Sequence, residues 1–222
     1  MAAKRFICIV LVALCLMSFI FLYERRDEGM EASQNVNYEK VVAITFDDGP
    51  NPINTKTLLD GLRERGVKAT FFLVGERIEG NEDLILRMYE DGHVIGNHSY
   101  SHSILTQMSK EAALEEIERT NTLIENITGE RVKYIRPPCG CWDEEMLFEV
   151  DMTPVFWDVD PQDWCTSNVN VVVERVVNNV KDGDIILFHD IYESSVVAAL
   201  EVIDRLTDMG YVFITVDEIL VD

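Results

Sequence analysis

The sequence predicts an α/β fold in which helices connect the strands of a parallel β-sheet. Seven short apolar runs, rich in β-branched and aromatic residues, alternate along the chain with segments of helical periodicity. Such alternation is typical of parallel sheets. The runs are almost continuously apolar, which is typical of strands covered on both faces. A barrel and an open sheet both fit this pattern.

The first stretch of the chain is interpreted as separate from this fold. Lys4 and Arg5 precede an apolar run, Phe6–Tyr23, that is long enough to cross a bilayer as a helix. No small-x-small cleavage site follows the run. We therefore expect an uncleaved signal anchor over residues 1–23, with a cleaved secretory signal as the alternative. Residues 24–40 are polar and patternless, which predicts a linker.

Residues 41–222 form the predicted domain, and each of its elements has a local signal. The strands are Val41–Ile44, Lys68–Val74, His93–Gly96, Lys133–Ile135, Pro154–Trp157, Asp184–Phe188 and Tyr211–Val216. Apolar side chains recur on one face of the helices, and several helices end at a glycine. The helices are Thr55–Arg65, Asn81–Glu90, Ser109–Ile127, Asp143–Val150, Asn170–Val180 and Ser194–Asp208.

Composition limits the classes of function. The formal net charge is -21 at pH 7, and residues 1–40 hold equal numbers of basic and acidic side chains, so the charge belongs to the domain. Such acidity argues against nucleic acid or an anionic membrane surface as a partner of the domain, whereas a neutral polymer is compatible with it. The domain contains Cys139, Cys141 and Cys165, an odd number that does not make a disulfide framework.

Unusual polar clusters follow five of the predicted strands. They are Asp47-Asp48, the segment from Asn97 to His102, the segment from Arg136 to Gly140, the segment from Asp158 to Trp164, and His189-Asp190. The carboxyl ends of parallel strands share one face, and active sites of α/β folds are built there. Any one cluster is compatible with a solvated turn, but five at one face predict a functional site.

The residue types in these clusters indicate a bound cation. Asp47 and Asp48 are adjacent carboxylates whose repulsion a cation would relieve, leaving one of them free to act as a base. His98 and His102 are four residues apart, a spacing that on a helical turn points both imidazoles the same way. Two His and one carboxylate suit zinc, with positions open for water and substrate. His189, across the metal, is a candidate general acid.

Other residues have competing interpretations. Arg136 is either part of a surface turn or a fixed cation that keeps a carboxylate base ionised and oriented. Asp163 and Trp164 are either a loop acid and a core aromatic or parts of the site. We assign Trp157 to packing, and His93, at the start of a strand, to a structural role with hydrogen bonds.

Together these residues resemble the polysaccharide deacetylase family, the carbohydrate esterases built on the NodB homology domain. The resemblance runs from Val41 to about Val221. Five motifs match in order: Thr45-Phe-Asp-Asp-Gly49, His98-Ser-Tyr-Ser-His102, Arg136-Pro-Pro-Cys-Gly140, Asp163-Trp164 and Leu187-Phe-His189. The resemblance implies a distorted (β/α) barrel with about seven parallel strands, a divalent metal, and hydrolysis of an N-acetyl group on a sugar polymer.

The resemblance also implies a role for each site residue. Asp47 looks like the base that takes a proton from the attacking water, and Arg136 looks like the residue that orients it. Asp48, His98 and His102 look like the metal ligands. The remaining implied roles are general acid for His189, tuning of that acid for Asp163, oxyanion binding for the N–H of Cys139, and an apolar acetyl pocket for Leu187 and Trp164. Position 139 is often aromatic in the family and here is Cys, which leaves the substrate preference open.

We therefore expect a membrane-anchored, single-pass deacetylase whose catalytic domain lies outside the cytoplasm, or a secreted one if the signal is cleaved. The metal is expected to be Zn²⁺, with Co²⁺, Ni²⁺ or Mn²⁺ as alternatives. N-acetylglucosamine of peptidoglycan is the first substrate candidate. A chitooligosaccharide, an O-acetylated xylan and a non-catalytic carbohydrate-binding role are the alternatives. We expect a monomer with no nucleic-acid partner, and a disulfide between Cys165 and either Cys139 or Cys141.

Overall fold

Seven parallel strands form one sheet in the computed structural model, which describes residues 40–143 and 150–220. The strands are β1 Lys40–Asp47, β2 Thr70–Leu73, β3 Val94–Asn97, β4 Tyr134–Ile135, β5 Thr153–Pro154, β6 Ile185–His189 and β7 Tyr211–Ile214. Every strand pairing is parallel. The predicted parallel α/β class with about seven strands is therefore confirmed.

Five helices of the described residues lie close to their predicted limits, and a sixth, Val216–Ile219, was not predicted. They are α1 Asn54–Arg65, α2 Glu82–Glu90, α3 Lys110–Thr128, α4 Val169–Val177, α5 Glu193–Asp208 and α6 Val216–Ile219. Short 3₁₀ turns occupy Gly75–Arg77, Leu105–Gln107, Pro138–Gly140 and Asp163–Cys165. In α3, the Ser109 side chain accepts a hydrogen bond from the N–H of Ala112, and Gly129 follows the helix in the left-handed conformation, as its sequence signals predicted.

The sheet curls into a half-barrel. Its order is β5-β4-β3-β2-β1-β6, and β7 pairs with the first half of β1. An isolated parallel bridge between Val159 and Ile186 brings the chain after β5 alongside β6. Within the described residues, β5 and β6 at the two ends of the sheet are not joined by a ladder of hydrogen bonds. The predicted barrel is therefore open on one side.

The fifth strand is shorter than predicted. Its ladder reaches Pro154, whereas the sequence predicted a strand as far as Trp157. The side chain of Arg136 supplies the reason, because its Nε donates to the carbonyl of Val155 at 3.1 Å and its Nη2 to the carbonyl of Phe156 at 3.0 Å. These carbonyls therefore bond to a buried guanidinium instead of a neighbouring strand.

The central strand β1 fixes the position of the functional residues. Val42, Ile44 and Phe46 on one face and Ala43 and Thr45 on the other are completely or almost completely buried. Phe46 stacks on Phe71 of β2 with ring centroids 5.3 Å apart. Burial on both faces pins the register of a strand. In that register Asp47, the last residue of β1, lies beside His189, the last residue of β6.

Two predicted elements fall outside the described residues, the membrane helix Phe6–Tyr23 and most of the helix Asp143–Val150. Within the described ranges, no helix is long and apolar enough to cross a membrane. The last predicted strand ends before Val216, because Thr215 and Glu218 form a capping box that starts α6. The sequence contains this Thr-x-x-Glu signal, which is typical of the start of a helix, so the start of α6 was predictable from it.

Candidate active site

A cavity of about 410 Å³ opens at the carboxyl ends of the strands. Its lining residues are Asp47, Asp48, His98, His102, Cys139, Trp157, Asp160, Trp164, Leu187 and His189. All the predicted site residues except Arg136 and Asp163 line this cavity. Those two are buried directly behind it, where they contact Asp47 and His189 respectively. The structure therefore brings the five polar clusters of the sequence together.

Asp48, His98 and His102 form the group that could hold a metal ion. One donor atom from each lies within 4.8 Å of the others. Asp48 Oδ1 lies 3.5 Å from His98 Nε2 and 3.2 Å from His102 Nε2. This oxygen is buried and has no well-aligned hydrogen-bond donor among the described residues. A buried, unsatisfied carboxylate oxygen between two imidazoles fits a divalent cation.

The protonation of His98 also fits a cation. Its Nδ1 lies 2.6 Å from the carbonyl oxygen of Arg136 and must donate there, because a carbonyl oxygen only accepts. The Nε2 atom is then left with a free lone pair directed at the site. Burial lowers the pKa of His98, although Asp47 and Asp48 act in the opposite direction. The neutral ring is thus the favoured form and is the form that binds metals.

Asp48 is held as an anion. Burial alone would raise its pKa, but the neighbouring imidazoles, first His102 and then His98, outweigh burial and lower the pKa to about 2. Asp48 in turn raises the pKa of His102. Asp48 is therefore ionised at neutral pH and offers an anionic oxygen, a ligand that a divalent cation favours.

The two histidines converge through a loop and not through a helical turn, so the predicted geometry was wrong although the pairing was right. Their ring centroids lie 5.0 Å apart. In the segment from His98 to His102 the backbone is left-handed at Ser99, with φ 61°, and at His102 itself, with φ 57°. A spacing of four residues can bring side chains together by this route as well.

Arg136 fixes the orientation of the Asp47 carboxylate from the buried side of the site. The guanidinium is completely buried and its Nη1 donates to Asp47 Oδ1 at 2.8 Å and to Thr45 Oγ1 at 2.6 Å. The other oxygen, Asp47 Oδ2, lies 3.7 Å from His98 Nε2. One oxygen is therefore fixed while the other faces the metal-ligand group, and the interpretation of Arg136 as a surface turn residue is wrong.

His189 and Asp163 form a second ion pair at the cavity, at the end of β6. Asp163 Oδ1 lies 2.9 Å from His189 Nδ1, and Asp163 Oδ2 accepts the backbone N–H of His189 at 2.9 Å. Burial opposes protonation of His189, but the hydrogen bond and charge of Asp163 prevail and raise the pKa to about 9. Because Nδ1 is engaged, Nε2 is the nitrogen that remains for a substrate, and it carries a proton at neutral pH.

The residues predicted to contact a substrate also lie in the cavity wall. Leu187 is buried there, and Trp164 is 55% exposed. Cys139 is exposed and lies in the 3₁₀ turn with a left-handed φ of 58°. Trp157 and Asp160 also line the cavity; the sequence had assigned Trp157 to packing and gave no role to Asp160. Only the approach of the segment after β5 to β6 reveals their position.

The predicted disulfide is not formed. Cys139, Cys141 and Cys165 are all free thiols. The Cys165 thiol donates to the carbonyl of Gln162 at 3.2 Å, and the Cys141 thiol lies 3.8 Å from the carbonyl of Cys139. Each of these two thiols thus has a local partner in its own turn.

His93 has the structural role that was predicted for it, since its Nδ1 accepts the N–H of Ala69 at 3.1 Å.

Asp190 supports the loop that carries Asp48. Its carboxylate is completely buried and accepts a hydrogen bond from the Thr55 hydroxyl of α1. Burial raises the pKa of Asp190 to about 7, and the charges of Asp48 and Asp47 act in the same direction. A Cβ at Gly49 would overlap this carboxylate. The absence of a side chain at Gly49 therefore allows the loop to pass over Asp190.

Gly49→Ala is expected to lower the free energy of unfolding by about 1–3 kcal/mol, because the added methyl group overlaps Asp190. Urea unfolding of the wild type and the variant measures the effect. The same substitution in an Asp190→Ala background should cost less, since the obstructing carboxylate is gone. Equal costs in the two backgrounds would contradict this account of the loop.

Comparisons with known proteins agree with this geometry. The Polysaccharide deacetylase family profile matches residues 34–154. A peptidoglycan-N-acetylglucosamine deacetylase of Bacillus cereus is 38% identical over 192 residues, which cover 83% of this chain and 90% of that protein. The peptidoglycan-N-acetylmuramic acid deacetylase PdaC of Bacillus subtilis is 44% identical over 181 residues, which cover 82% of this chain.

The structural comparison points the same way. A solved structure of peptidoglycan deacetylase PdaC from Bacillus subtilis matches with a TM-score of 0.80 and 44% identity, covering 82% of this chain and 90% of that one. The matched region spans 39% of the length of the complete PdaC protein. The profile covers more than half of the chain, and the Bacillus cereus relative is matched over most of both proteins, which together establish the family. The chain belongs to the polysaccharide deacetylase family.

Proposed function

We propose that this protein is a metal-dependent hydrolase that removes N-acetyl groups from the N-acetylglucosamine of peptidoglycan. One observation carries the proposal: Asp47 and His189, a candidate base and a candidate acid, are register partners on β1 and β6, and both line the cavity that contains the Asp48, His98 and His102 group. Relatives named as peptidoglycan deacetylases support the substrate class.

Zinc is the proposed metal, since two imidazoles and one carboxylate form a donor set that zinc favours. A divalent cation held by Asp48, His98 and His102 would lower the pKa of a coordinated water and polarise the carbonyl oxygen of the acetamide. Cobalt, nickel and manganese are the alternatives that metal analysis of the purified protein would distinguish.

Asp47 is proposed to act as the general base. Arg136 donates a hydrogen bond to Oδ1 and fixes the direction of the carboxylate. The free oxygen, Oδ2, then accepts the proton of the water that attacks the acetamide carbon. Base catalysis of this kind requires the acceptor to lie within hydrogen-bond reach of the water, and the fixed carboxylate provides that position.

His189 is proposed to act as the general acid. An amine leaves poorly as an anion, so the nitrogen of the breaking C–N bond must gain a proton. Protonated His189 supplies it from Nε2, while Asp163 holds the ring through Nδ1 and stabilises its charge. The raised pKa of about 9 keeps this proton in place at neutral pH.

Three residues are proposed to bind the acetyl group itself. The backbone N–H of Cys139 would stabilise the negative charge that develops on the carbonyl oxygen. Leu187 and Trp164 offer apolar surface in the same cavity for the acetyl methyl group. The small side chain at residue 139 leaves this part of the wall open.

Acetate release from a panel of acetylated glycans tests the function. The panel contains peptidoglycan fragments acetylated on glucosamine only or on muramic acid only, a chitooligosaccharide, and O-acetylated xylan. We expect the fastest release from the glucosamine-acetylated fragment. Preference for xylan would identify an O-acetyl esterase, and no release from any member with a loaded metal site would indicate a carbohydrate-binding role.

We also propose that residues 1–23 anchor the protein in the cell membrane as a single pass, with a monomeric catalytic domain outside the cytoplasm. The apolar run Phe6–Tyr23, the absence of a cleavage site after it and the cell-wall substrate support this location. The full chain is therefore expected to fractionate with membranes. Amino-terminal sequencing of the mature protein checks this, and a sequence that starts after Tyr23 would contradict it.

A further inference from the structure

The loop that joins the two candidate histidine ligands has an unusual backbone. It contains no glycine, yet Ser99 and His102 both have left-handed φ values, 61° and 57°. Non-glycine residues disfavour this region and persist in it only where the surrounding structure fixes them. The contacts of the loop therefore decide where His102 lies relative to His98 and Asp48.

Neighbouring segments bond to the loop at its start. The N–H of Ser99 donates to Asn97 Oδ1 at 2.7 Å. The carbonyl of Ser99 accepts the N–H of Gly75 at 3.0 Å, and the carbonyl of Tyr100 accepts the N–H of Glu76 at 2.9 Å. None of these bonds involves the N–H groups of Tyr100 and Ser101, which therefore need other acceptors.

One carboxylate on α3, that of Glu116, accepts hydrogen bonds from both of these N–H groups. Glu116 Oε2 accepts the N–H of Tyr100 at 2.9 Å and the N–H of Ser101 at 2.7 Å. The hydroxyl of Ser101 lies 3.0 Å from each of the two Glu116 carboxylate oxygens. Arg119, one turn further along α3, places its guanidinium 3.4 Å from the centre of the Tyr100 ring. Helix α3 thus contacts the middle of the loop through the side chains of Glu116 and Arg119.

We propose that Glu116 is a positioning residue for the cation site, acting through the loop that carries His102. The proposal rests on the metal dependence of the proposed function. Glu116 itself is not among the residues that line the cavity. Its carboxylate binds the N–H groups of the two residues that precede His102, Tyr100 and Ser101. His102 Nε2 lies 3.2 Å from Asp48 Oδ1.

The alternative is that Glu116 acts only through its negative charge near a cation. Two substitutions separate these roles. Glu116→Gln keeps the length of the side chain and an acceptor oxygen for both N–H groups, but it removes the charge. Glu116→Asp keeps the charge but shortens the side chain by one methylene, so it loses the reach to the loop.

The test measures the dissociation constant of Zn²⁺ by chelator competition, on the full chain, for the wild type and each variant. Loss of a group that orients a metal ligand typically weakens metal affinity by about 10–100-fold. We expect that loss for Glu116→Asp and Glu116→Ala, and a change of no more than a few-fold for Glu116→Gln. Glu115→Ala, at an exposed position of the same helix, is the matched control and should bind as the wild type does.

A second readout reports the ligand geometry directly. In the Co²⁺-loaded protein, the visible absorption bands should shift in Glu116→Asp and stay unchanged in Glu116→Gln. Retained affinity in Glu116→Asp with a loss in Glu116→Gln would show that charge matters and would overturn the proposal. If Glu116→Ala fails to fold, the Asp and Gln variants still decide. A wild type that binds no cation would overturn the metal site itself, and with it this role.

Discussion

Asp47→Asn is expected to retain its divalent cation and to lose deacetylation by on the order of 100- to 10,000-fold, the usual effect of removing a general base. The amide keeps the shape of the carboxylate and can still contact Arg136, but it cannot take a proton from water. Asp47 is not a member of the ligand group formed by Asp48, His98 and His102, so metal content should not change. Elemental analysis beside acetate release measures both effects.

Asp48→Asn is the matched control, one residue further along the same loop. It replaces the anionic oxygen between the two imidazoles by a neutral amide, which is a poorer ligand for a divalent cation. We therefore expect this variant to be purified with little or no metal and to be inactive for that reason. An Asp47→Asn protein that arrives without metal, or that keeps full activity, would show that the roles of the two acids are wrongly assigned.

His189→Ala is expected to slow deacetylation of the amide substrate by on the order of 100- to 10,000-fold while metal content stays unchanged. The reason is that the departing amine loses its proton donor. An activated acetyl ester provides the control, because its leaving group departs without protonation. The loss of rate on the ester should be much smaller, and an equal loss on both substrates would contradict the role of general acid.

Asp163→Asn tests the role of His189 through the pH dependence of activity. Asp163 is the main group that raises the pKa of His189 to about 9, against the effect of burial. The acid works only in its protonated form, so activity should fall as pH rises through the pKa of His189. Without the charge of Asp163 that pKa drops, and the alkaline limb of the kcat profile should move to lower pH. A limb at the wild-type position would indicate that another group titrates there.

Much of this site was predictable from the sequence because its residues lie at the ends of strands. Five polar clusters follow five apolar runs, and parallel strands bring their carboxyl ends to one face whether the sheet is open or curled. This reasoning located Asp47, Asp48, His98, His102 and His189 without any distance. The resemblance to a family then supplied their separate roles, which order along the chain could not distinguish.

The sequence could not supply the packing behind the strand ends. Arg136 is completely buried and limits β5 by bonding to the carbonyls of Val155 and Phe156, which directly follow the strand. These contacts depend on segments far apart in the chain. The positions of Trp157 and Asp160 in the cavity wall likewise follow from the approach of the chain after β5 to β6. Periodicity carries no information about such long-range contacts.

The sequence by itself therefore determined the parallel α/β class, most of the described helices and strands, and the face on which the site is built, because these follow from local patterns and from strand direction. Only the tertiary structure decided how far the sheet closes and how His98 and His102 meet. Their loop adopts two left-handed residues that no local preference would select. The hydrogen bonds from Glu116 on α3 stabilise that conformation, and they form only when the helix packs beside the loop.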